Sequence, residues 1–362
     1  MPTLSYRQPG LVLAVGTNDA TEQQVHDLQG DLRALGYLKR HIDGKFGSGT
    51  EQAVKALQRD LLINNGTSTG GDGPAPVRVI DYNQGRVNDV TGQADQGLVE
   101  CISAMLDDAN FVKLPSVPDP GTQNAQAVSQ IASLPAQTVP MPFLLAIFEQ
   151  ESNLMHFCVP ASADADTFIV TGLDTNDRQN PERITSRGYG IGQYTLFHHP
   201  PTAEEVAGIM LDPSKNVLKA IGELREKFDR FVNGPASEAD DRQAEFGNGP
   251  LRLCKYSSDD ARYMKDCRQC ALDAGTVNIQ AGSTPLYPGS RETYQPTPNY
   301  PTASYQNVPV RQAIGCDWPY AARRYNGAGM DSYHYQVRIL RNLLLTFGAE
   351  AQARAAATGT GS

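Results

Sequence analysis

The stretch from Val25 to Ile63, VHDLQGDLRALGYLKRHIDGKFGSGTEQAVKALQRDLLI, decides how the N-terminal part of the chain folds. Its first apolar residues recur at helical spacing: Val25, Leu28, Leu32 and Leu35. Gly36 is typical of a helix end, and Asp43-Gly44 is a strong turn signal. A second helical face follows the turn: Ala53, Val54, Leu57 and Leu61. The stretch therefore predicts two amphipathic helices joined by a turn, with Thr21 and Glu22 at the start of the first.

A third helix is predicted at about Asp95–Leu106, after a Gly/Pro/Ser/Thr-rich loop at residues 64–76. The pattern resembles the peptidoglycan-binding domain found in many wall hydrolases. The residues that carry the resemblance are Leu28-Gln29, Leu35-Gly36-Tyr37, Asp43-Gly44, Phe46-Gly47, Thr50 and Leu57-Gln58. It implies a small three-helix domain at 18–110 whose partner is the glycan strands of peptidoglycan. The leucines alone would fit any small helical bundle, so the resemblance depends on the whole pattern.

The remainder of the chain divides by composition. Residues 111–139 contain four prolines and few large apolar residues, which predicts a semi-extended linker. Residues 140–350 are mostly helical in pattern, with insertions near 160–187 and 235–312. Within the second insertion, residues 275–310 are rich in Pro, Tyr, Ser and Thr without periodicity, which predicts a long irregular segment. We expect a flexible tail at 351–362.

One carboxylate stands out by its helical phase. A helix is predicted after Pro140 and Pro142, and its apolar stripe is formed by Leu144, Ile147, Phe148 and Leu154/Met155. Glu151 falls on this stripe, whereas Glu149 points away from it. A carboxyl held against apolar side chains loses hydration, which favours its protonated, proton-donating form. A capping or salt-bridged glutamate would show the same spacing, so the neighbouring motifs decide between the two interpretations.

An ordered set of motifs follows Glu151-Ser152: Gly190-Ile191-Gly192-Gln193-Tyr194-Thr195, Asp212-Pro213 and Tyr325-Asn326-Gly327-Ala328-Gly329. This set resembles the catalytic domain of the lytic transglycosylase and goose-type lysozyme superfamily, over about residues 141–347. The resemblance implies that Glu151 is the acid/base. It also implies that Ser152, Gly190, Ile191, Gln193, Tyr194, Tyr325 and Asn326 bind the substrate. The expected fold is mainly α: the three-helix wall-binding domain plus a lysozyme-like α (α+β) catalytic domain.

Two mechanisms fit these residues. A hydrolase needs a second carboxylate to activate water or steady the sugar cation, and Asp174 and Asp177 are the candidates. A lytic transglycosylase uses the substrate's own N-acetyl group and needs one acid. The sequence departs from the family at Gly192, where Met is common, and in the long interval between Glu151 and Gly188. A non-catalytic wall-binding protein and a chitin-cleaving glycosidase are the alternative classes.

Charge and hydropathy bear on partners and location. The formal net charge is −9 with no basic cluster, which disfavours nucleic acid as a partner. No stretch approaches the roughly 18 apolar residues of a membrane span. Arg7 and the short run Leu11–Val15 do not form a signal-peptide core. We therefore expect synthesis in the cytoplasm without a signal peptide and export to the periplasm of a target cell. A type VI effector, with an immunity protein as inhibitor, or a phage endolysin would fit this route.

Cysteine and histidine give weaker signals. Three outcomes fit the six cysteines: one or two disulfides, which we favour, free buried thiols, or a structural metal. The cysteines are Cys101, Cys158, Cys254, Cys267, Cys270 and Cys316. His198-His199 lacks ligand partners at useful spacing and is interpreted as a loop pair, and His156 as a groove or packing residue. The sequence predicts no cofactor and no catalytic metal.

Overall fold

The computed structural model describes most of the N-terminal two thirds of the chain and parts of the remainder. The described residues are 5–17, 20–39, 41–68, 70–133, 139, 141–160, 165–231, 274–283, 293–297, 302–309, 318–327, 331–343 and 345. The predicted tail at 351–362 and four cysteines, Cys254, Cys267, Cys270 and Cys316, lie outside these residues. The described part is mainly α with small sheets, as the sequence predicted. Among its helices, none is long and apolar enough to cross a membrane.

The chain forms two compact units. The first unit contains Met1–Ile131 and Met155–Val217, and the second contains Ala132–Leu154 and Leu218–Ser362. This division differs from the predicted domain border near residue 140, because residues 155–217 join the N-terminal unit. The helices are α1 (Glu22–Ala34), α2 (Ser48–Ile63), α3 (Gln96–Asp107), α4 (Pro120–Ser133), α5 (Met141–Ser152), α6 (Ala203–Glu205), α7 (Pro213–Phe231), α8 (Trp318–Tyr325) and α9 (331–343).

The first three helices form as predicted. Thr21 caps α1 in a capping box: its side chain accepts from the backbone N–H of Gln24, whose own side chain accepts from the backbone N–H of Thr21. Gly36 follows α1 with φ of +80°, a conformation that favours glycine. Asp95 caps α3 by accepting from the backbone N–H of Leu98. The apolar faces of these helices meet in one core, in which Leu28, Leu32, Leu57, Leu61, Leu98 and Ile102 are fully buried.

Each Leu-Gln pair in the N-terminal pattern has a structural explanation. The buried Gln29 side chain donates to Asp43 Oδ1 and Thr50 Oγ1 and accepts from the backbone N–H groups of Asp43 and Gly44. Gln58 repeats the arrangement one helix later, because it donates to Thr91 and accepts from the N–H of Gly92. In both helices the leucine fills the core and the glutamine fixes the following loop.

Residues 155–217 contain a small antiparallel sheet in the order β1 (Thr171–Asp174), β2 (Ser186–Tyr189), β3 (Tyr194–Leu196). Two buried ion pairs connect these residues to the N-terminal helices. Arg33 pairs with Asp166 at 3.0 Å, and their side chains are 0% and 2% exposed. Arg187 pairs with Asp60 at 3.2 Å and lies over the Tyr37 ring. These contacts explain why residues 155–217 belong to the first unit.

The predicted extended linker is wrong over its central part. Residues 120–133 form α4, which begins with Pro120 at a position where proline is tolerated. Asp119 accepts from the backbone N–H of Thr122, as an N-capping residue does. Asn124, Ala127 and Ile131 are buried and recur at helical spacing. Composition indicated a linker because prolines dominate the flanks and the buried stripe is short.

The predicted irregular segment at 275–310 is also partly wrong. Its two ends form an antiparallel pair of strands, β4 (Ala274–Ile279) and β5 (Ala303–Pro309), with Ile279 paired to Ala303. Ile279 and Tyr294 are fully buried against Val337 and Leu340 of α9. The β-branched and tyrosine residues at these ends favour strands, but the prolines and serines between them conceal the short alternation.

The buried Arg33 yields a stability prediction. Replacing Arg33 with Met leaves the Asp166 carboxylate buried without its guanidinium, which we expect to lower the free energy of unfolding by about 3 kcal/mol. The matched control is Arg78→Met, because Arg78 pairs with Asp81 at the surface, where both side chains are more than half exposed. That change should cost under about 1 kcal/mol. Urea unfolding measures both, and equal losses in the two variants would contradict the assignment.

Candidate functional site

In the second unit, α5 presents Glu151 as its helical phase predicted. Phe143, Leu144, Ile147 and Phe148 are buried, Glu149 is exposed and Glu151 is half-buried. Of the two glutamates, Glu151 is therefore the less exposed. The Glu151 carboxyl therefore lies at the edge of an apolar core, where electrostatic interactions are stronger than in water.

The backbone just after Glu151 is strained. Asn153 and Leu154 follow α5 with φ of +52° and +58°, in the left-handed region that residues other than glycine rarely adopt. The N–H of Leu154 donates to the carbonyl of Phe148, which closes the helix end. Non-glycine residues in this region cost of order 1 kcal/mol each and cluster at functional sites. The strain therefore coincides with the end of the helix that carries Glu151.

Two tyrosines accompany Glu151. The Tyr335 hydroxyl, on α9, donates to Glu151 Oε1 at 2.6 Å, and the ring of Tyr335 is buried. Burial, and then the negative charge of Glu151, raise the pKa of Tyr335 well above its ordinary value. Tyr325 at the end of α8 has its pKa raised by burial, by Glu151 and by Glu223. Both phenols therefore stay protonated at neutral pH and act as hydrogen-bond donors.

Tyr335 is the site residue that sequence reasoning missed. It lies 184 positions from Glu151 and belongs to no motif of the family pattern. The available signal was a helical stripe through Tyr335, Ile339 and Leu343, all of which are buried. That stripe predicts a core helix but does not indicate which carboxylate the tyrosine contacts. Of the predicted partners, Tyr325 lies close enough to Glu151 for the charge of that carboxylate to raise the pKa of Tyr325. Asn326 is exposed just beyond α8.

Ser152 differs from its predicted role. Its side chain is 5% exposed, and its hydroxyl donates to the carbonyl of Phe148 four residues earlier in α5. A serine hydroxyl bonded to the carbonyl four residues earlier is directed at its own helix and often bends the helix at that point. The geometry therefore gives Ser152 a positioning role beside Glu151.

In the first unit, His156 and Asn216 hold the Gly190–Gln193 loop. His156 Nδ1 accepts from the backbone N–H of Ile191 at 3.2 Å, while Nε2 lies 2.7 Å from the carbonyl of Met210. These partners require a neutral ring with its proton on Nε2. Burial lowers the pKa of His156 to about 4, in agreement with this state. Asn216 accepts from the N–H of Gly192 and donates to the carbonyl of Tyr189.

Gly190 is required at its position. It has φ of +73°, and an added Cβ would lie 2.5 Å from His156 Cε1 and 3.0 Å from Asn216 Nδ2. Gly190 also donates from its N–H to the carbonyl of Val170. The glycine thus lets the loop lie directly against the two side chains that hold it.

The predicted substrate-binding residues of this loop separate into two groups. Ile191 is fully buried, so its side chain is a packing residue and only its backbone can face a ligand. Gln193 and Tyr194 are half-buried. The Gln193 amide donates to the carbonyl of Gly190 at 2.8 Å, and its Oε1 occupies the space above Gly172 and Gly188 that a Cβ would fill. The loop therefore holds Gln193 as a fixed polar group on the sheet.

Asp174 and Asp177 lie at the end of β1 and in the segment that follows it. Asp174 is exposed and accepts from the Ser186 hydroxyl at 2.8 Å. Asp177 accepts from the backbone N–H groups of Gln179 and Asn180 and from the side chains of Asn180 and Arg183. These bonds, led by that from the Asn180 side chain, lower the pKa of Asp177. Asp177 therefore stabilises the conformation of its own loop, whereas the Asp174 carboxylate accepts fewer hydrogen bonds.

His198 and His199 are both buried. His198 lies between Asp72 at 3.2 Å and Glu205 at 3.0 Å. The hydrogen bond with Glu205 is the main reason that the pKa of His198 is raised. His199 is buried, with its ring edge-on to those of Tyr37 and Phe111. Cys101 and Cys158 are free thiols. Within the described ranges, no three His, Cys, Asp or Glu side chains are arranged to hold a metal ion.

Comparison with known proteins identifies one region of the chain. Residues 21–64 match the model of a peptidoglycan binding domain family. The match begins at Thr21, the cap of α1, and ends at Asn64, which follows α2. The chain therefore carries an N-terminal peptidoglycan-binding domain, as its motif residues predicted. No curated protein and no solved structure matches the chain.

The contact between Gly190 and His156 predicts a steric effect. Gly190→Ala should lower the free energy of unfolding by roughly 3 kcal/mol, because the clash with His156 adds to the left-handed strain. Gly71→Ala is the matched control: Gly71 has φ of +81° but nothing within 4 Å of an added Cβ. Its loss should be about 1 kcal/mol. Thermal unfolding distinguishes the two, and a Gly190 loss no greater than that of Gly71 would refute the packing.

The neutral His156 predicts a pH dependence. Its pKa falls from 6.5 in the unfolded chain to about 4 in the folded one, so the unfolded state binds more protons between these values. The stabilisation is complete above pH 6.5 and is lost as the pH falls toward 4, by at most about 3 kcal/mol. Gln in place of His156 keeps an acceptor and a donor but does not titrate. Urea unfolding at several pH values should therefore show a smaller loss for His156→Gln than for the wild type, and parallel curves would contradict the prediction.

Proposed function

We propose that this chain is a peptidoglycan glycosidase that cleaves the β-1,4 bond between N-acetylmuramic acid and N-acetylglucosamine, with Glu151 as its catalytic acid. The observation that carries the proposal is the half-buried Glu151 carboxyl, held by the Tyr335 hydroxyl at the edge of the α5 core. The N-terminal domain supports the choice of substrate, because it belongs to a peptidoglycan-binding family. A tethered enzyme also encounters its insoluble polymer at a higher local concentration.

In the proposed reaction Glu151 acts first as an acid and then as a base. Glu151 donates its proton to the glycosidic oxygen while the bond to the anomeric carbon breaks, and the bonding electrons remain on the departing sugar. The resulting carboxylate then accepts a proton from the incoming nucleophile. In hydrolysis that nucleophile is water, and in transglycosylation it is the 6-hydroxyl of the same muramic acid, which closes an anhydro ring. Tyr335 keeps the carboxyl oriented through both steps.

The contacts of the two aspartates favour the transglycosylase. Asp177 is occupied by four hydrogen bonds within its own loop, which makes it a poor base for activating water. Asp174 bonds to Ser186 and is exposed, so it lacks the desolvation that strengthens a catalytic charge. A one-acid mechanism needs neither residue. Muramidase activity with Asp174 as the second carboxylate is the alternative.

A protein that cleaves the wall must reach it. We propose that this chain acts in the periplasm of a target cell, as an effector delivered by a type VI machine or as a phage endolysin. The wall-binding domain supports the destination, because peptidoglycan is located there. An effector of this kind would have an immunity protein as its inhibitor. A small secreted protein encoded beside this chain, which blocks activity when mixed with it, would favour the effector.

The catalytic assignment predicts the behaviour of two glutamine variants. Glu151→Gln should abolish the turbidity loss of purified sacculi, by at least roughly 1,000-fold, since the amide cannot donate the proton. Glu149→Gln, two residues away on the exposed side of α5, should keep wild-type activity. If Glu151→Gln clears sacculi as fast as Glu149→Gln, the assignment is wrong. If the wild type binds sacculi without clearing them, the chain is a wall-binding protein rather than an enzyme.

Tyr335 gives a second, graded prediction. Tyr335→Phe removes the hydroxyl that donates to Glu151 Oε1 but keeps the buried ring. We expect activity to fall roughly 10- to 100-fold, because a misoriented acid loses part of its contribution. Tyr333→Phe on the same helix is the control, and it should retain activity. Equal activity in the two variants would show that Tyr335 does not position the acid.

A further inference from the structure

A loop of the first unit follows the 21–64 family match and is closed at its base. Its ends are joined by a hydrogen bond of 2.8 Å from the N–H of Ala75 to the carbonyl of Gly66. We call the described residues between these ends the 66–75 loop. Because the two ends are bonded to each other, the contacts of the central residues determine where this loop lies on the first unit.

The 66–75 loop lies against the segment that follows β3. Asp72 Oδ2 accepts from the backbone N–H of Phe197 at 2.7 Å. The Ser68 hydroxyl donates to the other oxygen of the Asp72 carboxylate, which orients it. Gly70 packs so closely on the Phe197 ring that an added Cβ would clash with the ring atoms. The contacts of the loop with this segment are therefore centred on Asp72 and Phe197.

His198 lies between two carboxylates that come from different elements. Its Nδ1 is 3.2 Å from Asp72 Oδ2, and its Nε2 is 3.0 Å from Glu205 Oε2. Asp72 belongs to the 66–75 loop, whereas Glu205 is the last residue of α6 and completes a capping box with Thr202. The His198 side chain is 1% exposed, so water screens these interactions little. The imidazole therefore connects the loop to α6.

The positions of the two ring nitrogens decide which protonation state fits. A neutral imidazole has one N–H, so it donates to one carboxylate while the lone pair of its other nitrogen faces an anionic oxygen. A protonated imidazole donates to both carboxylates. The geometry therefore fits the imidazolium, which bridges Asp72 and Glu205. The hydrogen bond with Glu205 and the charges of both carboxylates raise the pKa of His198 above its ordinary value of 6.5, in agreement with this state.

The other described titratable groups around His198 keep their charge near neutral pH. His199 is neutral, because burial and the charge of Arg187 lower its pKa well below its ordinary value. Tyr189 lies close to Glu205, and burial raises the pKa of Tyr189 to about 12. Burial acts to raise the pKa of the two carboxylates beside His198, but their hydrogen bonds outweigh it and lower both values. His198 is therefore the group of this cluster whose charge changes above pH 6.5.

We propose that His198 is a pH-operated latch, which holds the 66–75 loop on the segment after β3 while its ring is protonated and releases the loop when the proton is lost. With a neutral ring, the carboxylates of Asp72 and Glu205 lose the positive charge that compensates them, which weakens the attachment of the loop. The attachment is therefore complete below pH 6.5 and is lost as the pH rises through the raised pKa of His198.

Release of the loop changes the surface beside β3. Phe197 is 43% exposed, and the loop covers the side of its ring that faces Gly70. A released loop therefore uncovers more of this aromatic side chain. The segment held by the latch follows β3, which itself follows the Gly190–Gln193 loop, so the order of this part of the first unit depends on pH. The inference goes beyond the proposed function and does not depend on Glu151.

The first test measures the pKa of His198 in the full chain, by nuclear magnetic resonance titration of the histidine ring protons. The signal that is missing from His198→Gln identifies the residue. Asp72→Asn and Glu205→Gln each remove one of the flanking charges, so each should lower the pKa of His198 by about 1. Glu204→Gln, at the exposed neighbouring position of α6, is the matched control and should leave it unchanged. A His198 pKa that neither flanking variant lowers would refute the latch.

The second test measures hydrogen exchange at the Phe197 amide, whose N–H donates to Asp72 of the loop. After correction for the intrinsic rate, its protection should be at least roughly threefold greater about one pH unit below the measured midpoint of His198 than about one unit above it. Asn at position 72 keeps a side-chain oxygen that accepts from Phe197, so Asp72→Asn should retain protection but lose most of its pH dependence. His198→Gln should lose the pH dependence entirely.

An internal control separates the latch from global stability, to which His156 contributes with the opposite sign. The Ala94 amide, which donates to the carbonyl of Leu13 rather than to the loop, should not share the change seen at Phe197. Protection of Phe197 that is equal on both sides of the midpoint, or that varies equally in His198→Gln, would overturn the proposal. Because Asp72→Asn keeps the buried ring, it supplies the comparison if His198→Gln fails to fold.

Discussion

The guanidinium of Arg33 is the charge on which the first unit depends. It is fully buried, and its donors reach the Asp166 carboxylate and the carbonyls of Leu38 and Ile169. Burial of an ion is costly unless partners satisfy it, and these partners come from the turn after α1 and from residues 155–217. The wall-binding helices therefore pack against residues 155–217, of which Ile184 and Leu173 reach the helical core.

The catalytic proposal likewise depends on a charged group that buried neighbours hold in place. Glu151 is brought to the edge of an apolar core by helical phase, and its carboxyl is oriented by a hydroxyl from a distant helix. In the first unit, neutral His156 and Asn216 fix the Gly190–Gln193 loop by the same means, through bonds from buried side chains to backbone groups. Both sites place polar groups on elements whose positions are set by packing. Such preorganisation is what acid catalysis and sugar recognition require.

The sequence predicted the features that depend on local periodicity. The two helices of 25–63, their turn, the third helix near Asp95–Leu106 and the choice of Glu151 over Glu149 all follow from spacing within single elements. The sequence did not predict the pairing of Arg33 with Asp166 or of Tyr335 with Glu151. These contacts join residues more than 130 positions apart, and no local pattern encodes their partners. Helix α4 and strands β4 and β5 were missed because prolines and polar residues conceal short apolar stripes.

The mass spectrum of the glycan fragments released from purified sacculi tests the central claim most directly. The account predicts new sugar ends in the wild-type digest: anhydro-muramic ends from transglycosylation or reducing ends from hydrolysis. The Glu149→Gln digest should contain the same fragments, and the Glu151→Gln digest should contain none of them. Fragments cleaved only in their peptides, or identical glycan ends in the Glu151→Gln digest, would contradict a glycosidase that acts through Glu151.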